Sequence, residues 1–161
     1  MVYVFNRSRK EERRGVVRSS IVPELYVTDL TASLKFYVDI LGFEIEYERP
    51  EEGFAALRFH GSHLMLEQIA NTHSATEQQF ESGAWRTADL DFPFGRGINF
   101  EVIVPDVESL HARVVAGGYT VKLGLRDRKY RVGGDVVELR QFLTMDPDGY
   151  LIRLAQVSNG E

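Results

Sequence analysis

The stretch "LYVTDLTASLKFYVDILGFEI", residues 25–45, decides the fold because its pattern occurs twice in the 161-residue chain. An apolar strand leads to Asp29, apolar residues then recur at helical spacing, and Gly42 ends the helix. Residues 100–121, "FEVIVPDVESLHARVVAGGYTV", repeat this order with Asp106 in the place of Asp29. Such internal repetition predicts two copies of one strand-helix unit.

Further strands follow each predicted helix, because alternating apolar residues are separated by turn signals. These strands span residues 44–48, 54–59 and 64–68 in the first copy, and residues 119–125, 136–144 and 150–156 in the second. The expected fold class is α+β, with two βαβββ modules whose curved mixed sheets surround a groove. The predicted domain is residues 21–157, with module 1 at about 21–69, a linker at 70–96 and module 2 at about 97–157.

Charge is distributed unevenly along the chain. The net charge is -5, but residues 1–20 hold six basic and two acidic residues, so that the rest carries 13 basic and 22 acidic residues, a net charge of -9. We expect residues 1–20 to be a basic, disordered leader. The acidic body favours a neutral or cationic partner and disfavours nucleic acid.

The composition excludes several classes of function. There is no cysteine, which excludes disulfides, thiolate catalysis and zinc-thiolate sites. No apolar run is long enough for a membrane span, and the N-terminus has no apolar signal core. These features predict a soluble, cytoplasmic protein without a membrane partner.

Side-chain alternation divides each predicted sheet into two faces. Leu25, Leu66 and Leu154 belong to apolar faces that should pack against the helices. The opposite faces mix polar and apolar side chains, which is typical of a wet groove and unusual in a dry core. The mixed faces contain Glu24, Tyr26, His63, Met65, Glu67, Asn99, Glu101 and Arg153.

The duplicated pattern, with "VTDL" and "FYVDILGF" early and "DPDGYLIRL" at residues 146–154, resembles the vicinal oxygen chelate superfamily of glyoxalases, ring-cleaving dioxygenases and bleomycin-resistance proteins. The resemblance covers about residues 20–157. The stretches "GSHLMLEQ", "PFGRGINFEVIVPDV" and "RQFLTMDPDGYLIRLAQ" are most similar to the bleomycin-resistance branch.

Metal enzymes of this superfamily place ligands at four points, on the first and last strands of the two modules. The resemblance puts these points at Val22, Met65, Asn99 and Arg153. Valine and arginine do not bind a divalent ion, a thioether suits only soft metals, and a lone amide oxygen is a poor anchor. We therefore expect no metal, no other cofactor and no catalytic residue. The guanidinium of Arg153 is expected to pair with a carboxylate of the mixed faces, Glu24, Glu67 or Glu101.

The bleomycin-resistance branch implies a homodimer, domain-swapped or not, whose grooves are built from both chains. Such proteins give antibiotic resistance by sequestering a cationic glycopeptide drug without turnover, and negative charge, flat rings and polar groups would hold this ligand. The predicted ligand-binding residues are Glu24, Tyr26, Met65, Glu67, Trp85, Phe94, Asn99, Glu101, Tyr130 and Arg153.

Two alternatives stay open. One is a metal-dependent lyase, isomerase or dioxygenase of the same scaffold with displaced ligands, for which the candidate donors are His63, Glu24, Glu67 and Glu101. The other is a binding module for a different small molecule.

Overall fold

The computed structural model describes residues 19–69 and 88–158, which form two modules with the same order of elements. In module 1, β1 (Glu24–Val27) leads into α1 (Leu30–Leu34), which continues as a π-helical segment (Lys35–Ile40). The strands that follow are β2 (Glu44–Arg49), β3 (Phe54–Phe59) and β4 (Ser62–Gln68), with a short 3-10 turn (Pro50–Glu52) after β2. Module 2 consists of β5 (Asn99–Ile103), α2 (Val107–Ala116), β6 (Val121–Val132), β7 (Asp135–Met145) and β8 (Leu151–Val157).

Each module folds its strands into one mixed sheet. The strand orders are β1-β4-β3-β2 and β5-β8-β7-β6, so the two sheets share one topology. The first strand of each module pairs in parallel with the last, and the other pairs are antiparallel. The predicted α+β fold of two βαβββ modules is confirmed.

Both helices begin at the aspartates that the repeat indicates. The Asp29 carboxylate accepts a hydrogen bond from the Ala32 amide at 3.1 Å, and Asp106 accepts one from the Ser109 amide at 3.0 Å. Gly42 follows the first helical stretch with a φ of +87°, a conformation that a side chain would disfavour. Neither helix, nor any other in the described part of the chain, has the length and apolar character needed to cross a membrane.

One hydrophobic core joins the two modules. Buried residues of both sheets and both helices belong to it, including Leu66 of β4 and Leu154 of β8. The rings of Phe36 and Tyr119 meet across the module boundary with their centroids 4.8 Å apart. Because both sheets turn their apolar faces to the helices, the opposite faces point away from the core. We call these the open face of sheet 1 and the open face of sheet 2.

Module 2 departs from the predicted strands at "RDRKYRVGGD". The sequence predicts a strand that ends at Leu125, whereas β6 continues to Val132 and pairs with β7 through a two-residue turn at Gly133 and Gly134. Tyr130, the register neighbour of Val137, therefore lies in a strand. The hairpin is largely exposed on both sides, so its sequence shows no apolar alternation from which the longer strand could be predicted.

Parts of the predicted leader and linker contact the modules. The Ser19 amide donates a hydrogen bond to His63 Nδ1, and its hydroxyl donates one to the Gly61 carbonyl, both at 3.1 Å. The Phe94 amide donates to the Asp148 carbonyl at 2.9 Å. Residues 1–18 and 70–87, and Trp85 with them, lie outside the described residues.

Candidate ligand-binding site

The open face of sheet 1 carries four of the predicted ligand-binding side chains. In the parallel pairing of β1 with β4, Glu24 is the neighbour of Met65, and Tyr26 is the neighbour of Glu67. Neighbours in register project to the same side of a sheet, so these four side chains form one patch. The alternation in the sequence assigns them to the correct face.

Glu24 lies two residues before Tyr26, the register neighbour of Glu67, so the two carboxyls are diagonal neighbours on this face. Burial, followed by the neighbouring Glu24 carboxyl, raises the pKa of Glu67 from 4.5 to about 7. Arg49 opposes this rise, and Glu52 adds to it. Below about pH 7, Glu67 therefore mostly holds its proton.

Arg49 and Phe54 also belong to this open face, although the sequence analysis does not identify them. Phe54 is the register neighbour of Glu67, and the Arg49 guanidinium carbon lies 3.8 Å from the centroid of its ring. The Phe54 ring also stacks with Tyr47, with centroids 5.8 Å apart. A bulge between Ile45 and Tyr47 breaks the alternation of β2, so only the turn signal "RPEEG" hints at this arrangement.

The open face of sheet 2 is organised around an ion pair. Arg153 Nη2 lies 3.1 Å from Oε2 of Glu101, its register neighbour on β5. Its guanidinium carbon is 6.0 Å from the ring centroid of Tyr130, whose hydroxyl accepts a hydrogen bond from Gln141 Nε2 at 2.9 Å. Asn99 is exposed at the start of β5 on the same face. The predicted pairing of Arg153 with a carboxylate is confirmed, and Glu101 is the partner.

The structure divides the predicted binding residues between the two open faces. These faces point away from the shared core, so a groove lined by both sets requires a second copy of the chain. Phe94 lies on neither face, because its ring packs edge-on against Tyr150 at a centroid distance of 6.3 Å and contacts the core. Trp85 lies outside the described residues. The assembly of all ten residues into one groove stays a prediction.

Comparison with known proteins identifies the family. The model of the glyoxalase/bleomycin resistance protein/dioxygenase superfamily matches residues 19–154. The chain belongs to this superfamily. Its name combines enzymes with resistance proteins, so membership is compatible with catalysis and with binding alone. Comparison with curated proteins gives no match.

Solved structures match most of the chain. A superfamily member from Vibrio splendidus 12B01 is 36% identical over 84% of this chain and 95% of its own, with a TM-score of 0.36. VPC_CASS1, from the mobile metagenome of V. Pseudocholerae, is 22% identical over 89% of this chain and 97% of its own, with a TM-score of 0.60. TioX from Micromonospora sp. ML1 is 22% identical over 86% of this chain and 98% of its own, with a TM-score of 0.59. The last two likenesses show a shared fold.

The side chains at the four metal positions of the superfamily enzymes do not fit a divalent ion. Val22, Met65 and Arg153 offer no oxygen donor and no nitrogen that can ligate a cation, which leaves only the Asn99 amide. Arg153 also brings a positive charge, already paired with Glu101. Within residues 19–69 and 88–158, no three His, Asp or Glu side chains converge as metal ligands do.

The donors considered for a displaced metal site have other partners. Nδ1 of His63 accepts the Ser19 amide at 3.1 Å, and Nε2 lies 3.7 Å from a carboxylate oxygen of Glu46. Glu101 pairs with Arg153 on the other sheet. In the part of the chain that the structure describes, the donors of the alternative site therefore do not converge on one point.

Proposed function

We propose that this protein is a metal-free binding protein that sequesters a small cationic ligand of the bleomycin type. The observation that carries the proposal is the placement of two carboxyls, Glu24 and Glu67, as diagonal neighbours on the open face of sheet 1. A ligand cation beside these carboxyls would favour the ionised form of Glu67 and so displace its proton. Binding by such an exchange requires neither a catalytic group nor a metal ion.

The surroundings of the acidic pair suit a planar cation. The guanidinium of Arg49 already lies over the Phe54 ring, which is 4% exposed, so a ligand cation would have to take the place of Arg49 there. A cation over an aromatic face gains about 0.5 to 2 kcal/mol, depending on how far it is removed from water. Tyr47 extends the aromatic surface beside Phe54. The net charge of -9 outside residues 1–20 would also attract a cationic ligand over a distance.

A homodimer would complete the groove. Glu101, Arg153 and Tyr130 on the open face of sheet 2 would supply polar contacts and a further ring. Ile103 and Val157 on the same face are 50% and 46% exposed, and apolar surface of this kind supports contact with a ligand or with a second copy. In a two-fold dimer, each groove would combine the open face of sheet 1 from one chain with that of sheet 2 from its partner.

Titration with metal-free bleomycin tests the proposal. Wild type should bind saturably, and Glu67→Gln should bind at least about tenfold more weakly, because the neutral amide cannot become a second negative charge. Glu138→Gln is the matched control: Glu138 pairs with Lys129 on the opposite side of sheet 2, and its loss should leave the affinity within about twofold.

Two results would contradict the proposal. The first is the absence of saturable binding by wild type, which would exclude this class of ligand. The second is elemental analysis of protein purified without chelator that finds about one divalent ion per chain.

A further inference from the structure

A cavity of about 520 Å³ lies between the two modules beside the edge strand β5, and Glu101 and Ile103 from the open face of sheet 2 also line it. Its floor is formed by side chains that are less than a tenth exposed, Tyr37, Phe43, Leu64 and Ile152. Phe100 and Val102 of β5 continue the apolar wall. Small-molecule sites in proteins typically have volumes of roughly 300 to 1,000 Å³ and mostly apolar linings, and this cavity has both properties.

The described lining presents little charge that a ligand could use. Its acidic residue, Glu101, is neutralised by Arg153 at 3.1 Å. The polar atoms near the floor are also paired, because the Tyr37 hydroxyl donates to Asp146 at 3.0 Å, and His63 Nδ1 accepts the Ser19 amide. What a ligand meets is mainly an apolar and aromatic surface.

We infer that this cavity is a second binding site, which takes an uncharged, largely aromatic molecule. Such a molecule gains from the removal of apolar surface from water, whereas a charged ligand would leave water without finding an unpaired counter-ion. Glu24 and Glu67 do not contribute to the described lining, so the cavity is separate from the acidic pair on the open face.

Two other occupants fit the cavity less well. Residues 1–18, which join the chain at the cavity's rim through Ser19, carry six Lys and Arg residues. The described lining holds no unpaired carboxylate to meet these charges. A second copy of the chain would have to insert a side chain as far as the buried ring of Phe43. A small uncharged molecule meets neither obstacle.

The test uses N-phenyl-1-naphthylamine, an uncharged dye whose fluorescence rises in apolar sites, with the full chain. Wild type should show a saturable rise with one dye per chain. Val102→Phe and Ser62→Phe add a ring inside the wall and at the rim, and each should weaken dye binding at least about fivefold. Val136→Phe is the control, because Val136 is 66% exposed on the β7 hairpin and lies outside the cavity. Its affinity for the dye should stay within about twofold of that of wild type.

Thermal unfolding establishes that each variant is folded. Ser62 is exposed, so Ser62→Phe keeps the test decisive if Val102→Phe does not fold. No saturable rise with wild type, or unchanged affinity in the folded cavity variants, would overturn the inference.

Glu67→Gln separates this site from the acidic pair. It should bind the dye like wild type whether or not it binds the cationic ligand, and a parallel loss of dye binding would overturn the inference. Failure of the bleomycin titration alone would contradict the proposed function and leave the cavity site standing.

Discussion

The hydroxyl of Tyr37 donates a hydrogen bond to Oδ2 of Asp146 at 3.0 Å and so links two buried side chains 109 positions apart in the sequence. Oδ1 of Asp146 accepts the amides of Asp148 at 3.1 Å and Tyr150 at 2.8 Å. Asp148 in turn accepts the Thr28 hydroxyl at 2.6 Å. The end of β1 and the first helical segment are thereby tied to the turn before β8, which fixes one module against the other.

Tyr37→Phe should lower the free energy of unfolding by about 1 to 3 kcal/mol, because it removes a donor from a buried carboxyl. Tyr119→Phe is the control: the Tyr119 ring contacts Phe36, but its hydroxyl has no hydrogen-bond partner among the described residues. Its loss should cost less than about 0.5 kcal/mol. Urea unfolding gives the free energy of unfolding of both variants. Equal losses of stability in the two would contradict a stabilising role for the hydrogen bond.

Asp146→Asn should flatten the dependence of stability on pH. Burial raises the pKa of Asp146 from 3.8 to about 6, although the hydrogen bonds that it accepts act against the rise. Since the folded state holds this proton more tightly, the contribution of Asp146 is fully present below the unfolded pKa and is lost as the pH rises through about 6. The loss is on the order of 2 to 3 kcal/mol.

Asparagine at this position can still accept both amides but cannot ionise. The difference in unfolding free energy between about pH 4 and about pH 6.5 should therefore be smaller in the variant than in wild type. A variant whose urea midpoints change with pH as steeply as those of wild type would show that Asp146 is not the titrating group.

Glu67→Gln should also flatten the dependence of stability on pH, but less than Asp146→Asn does and at higher pH. The pKa of Glu67 is raised from 4.5 to about 7, so its stabilising contribution is lost as the pH rises through this range. Because Glu67 is only partly buried, solvent screening limits the loss to about 1 kcal/mol. The free energies of unfolding of Glu67→Gln and of the control Glu138→Gln are compared between about pH 5 and about pH 7.5. If the control changes as little with pH as Glu67→Gln does, Glu67 is not the titrating group.

The sequence predicts the fold well because its repeat contains local signals. Asp29 and Asp106 cap their helices through contacts only three residues away, and the period-two pattern of β4 and β8 determines which side chains face the core. For the same reason, Glu24 and Glu67 could be assigned to one face before their strands were known to pair.

Contacts between distant parts of the chain could not be predicted in this way. The proximity of Glu24 and Glu67 depends on the parallel register that sets Glu67 opposite Tyr26, and no short-range pattern encodes this register. Hydrophobic periodicity does not predict the extension of β6, because its hairpin is exposed to solvent on both sides. The packing of the Phe94 ring against Tyr150 could not be predicted either, because the stretch around Phe94 is polar.

Displacement of the Glu67 proton by a bound cation can be counted directly by titration calorimetry. Metal-free bleomycin is titrated at about pH 6 in buffers of different ionisation enthalpy, first into wild type and then into Glu67→Gln. Since the pKa of Glu67 is about 7, Glu67 holds its proton at that pH, and we expect wild type to release close to one proton more per bound ligand than the variant. Equal proton counts for the two proteins, with saturable binding by both, would contradict an acidic pair that holds its ligand by exchanging a proton for a cation.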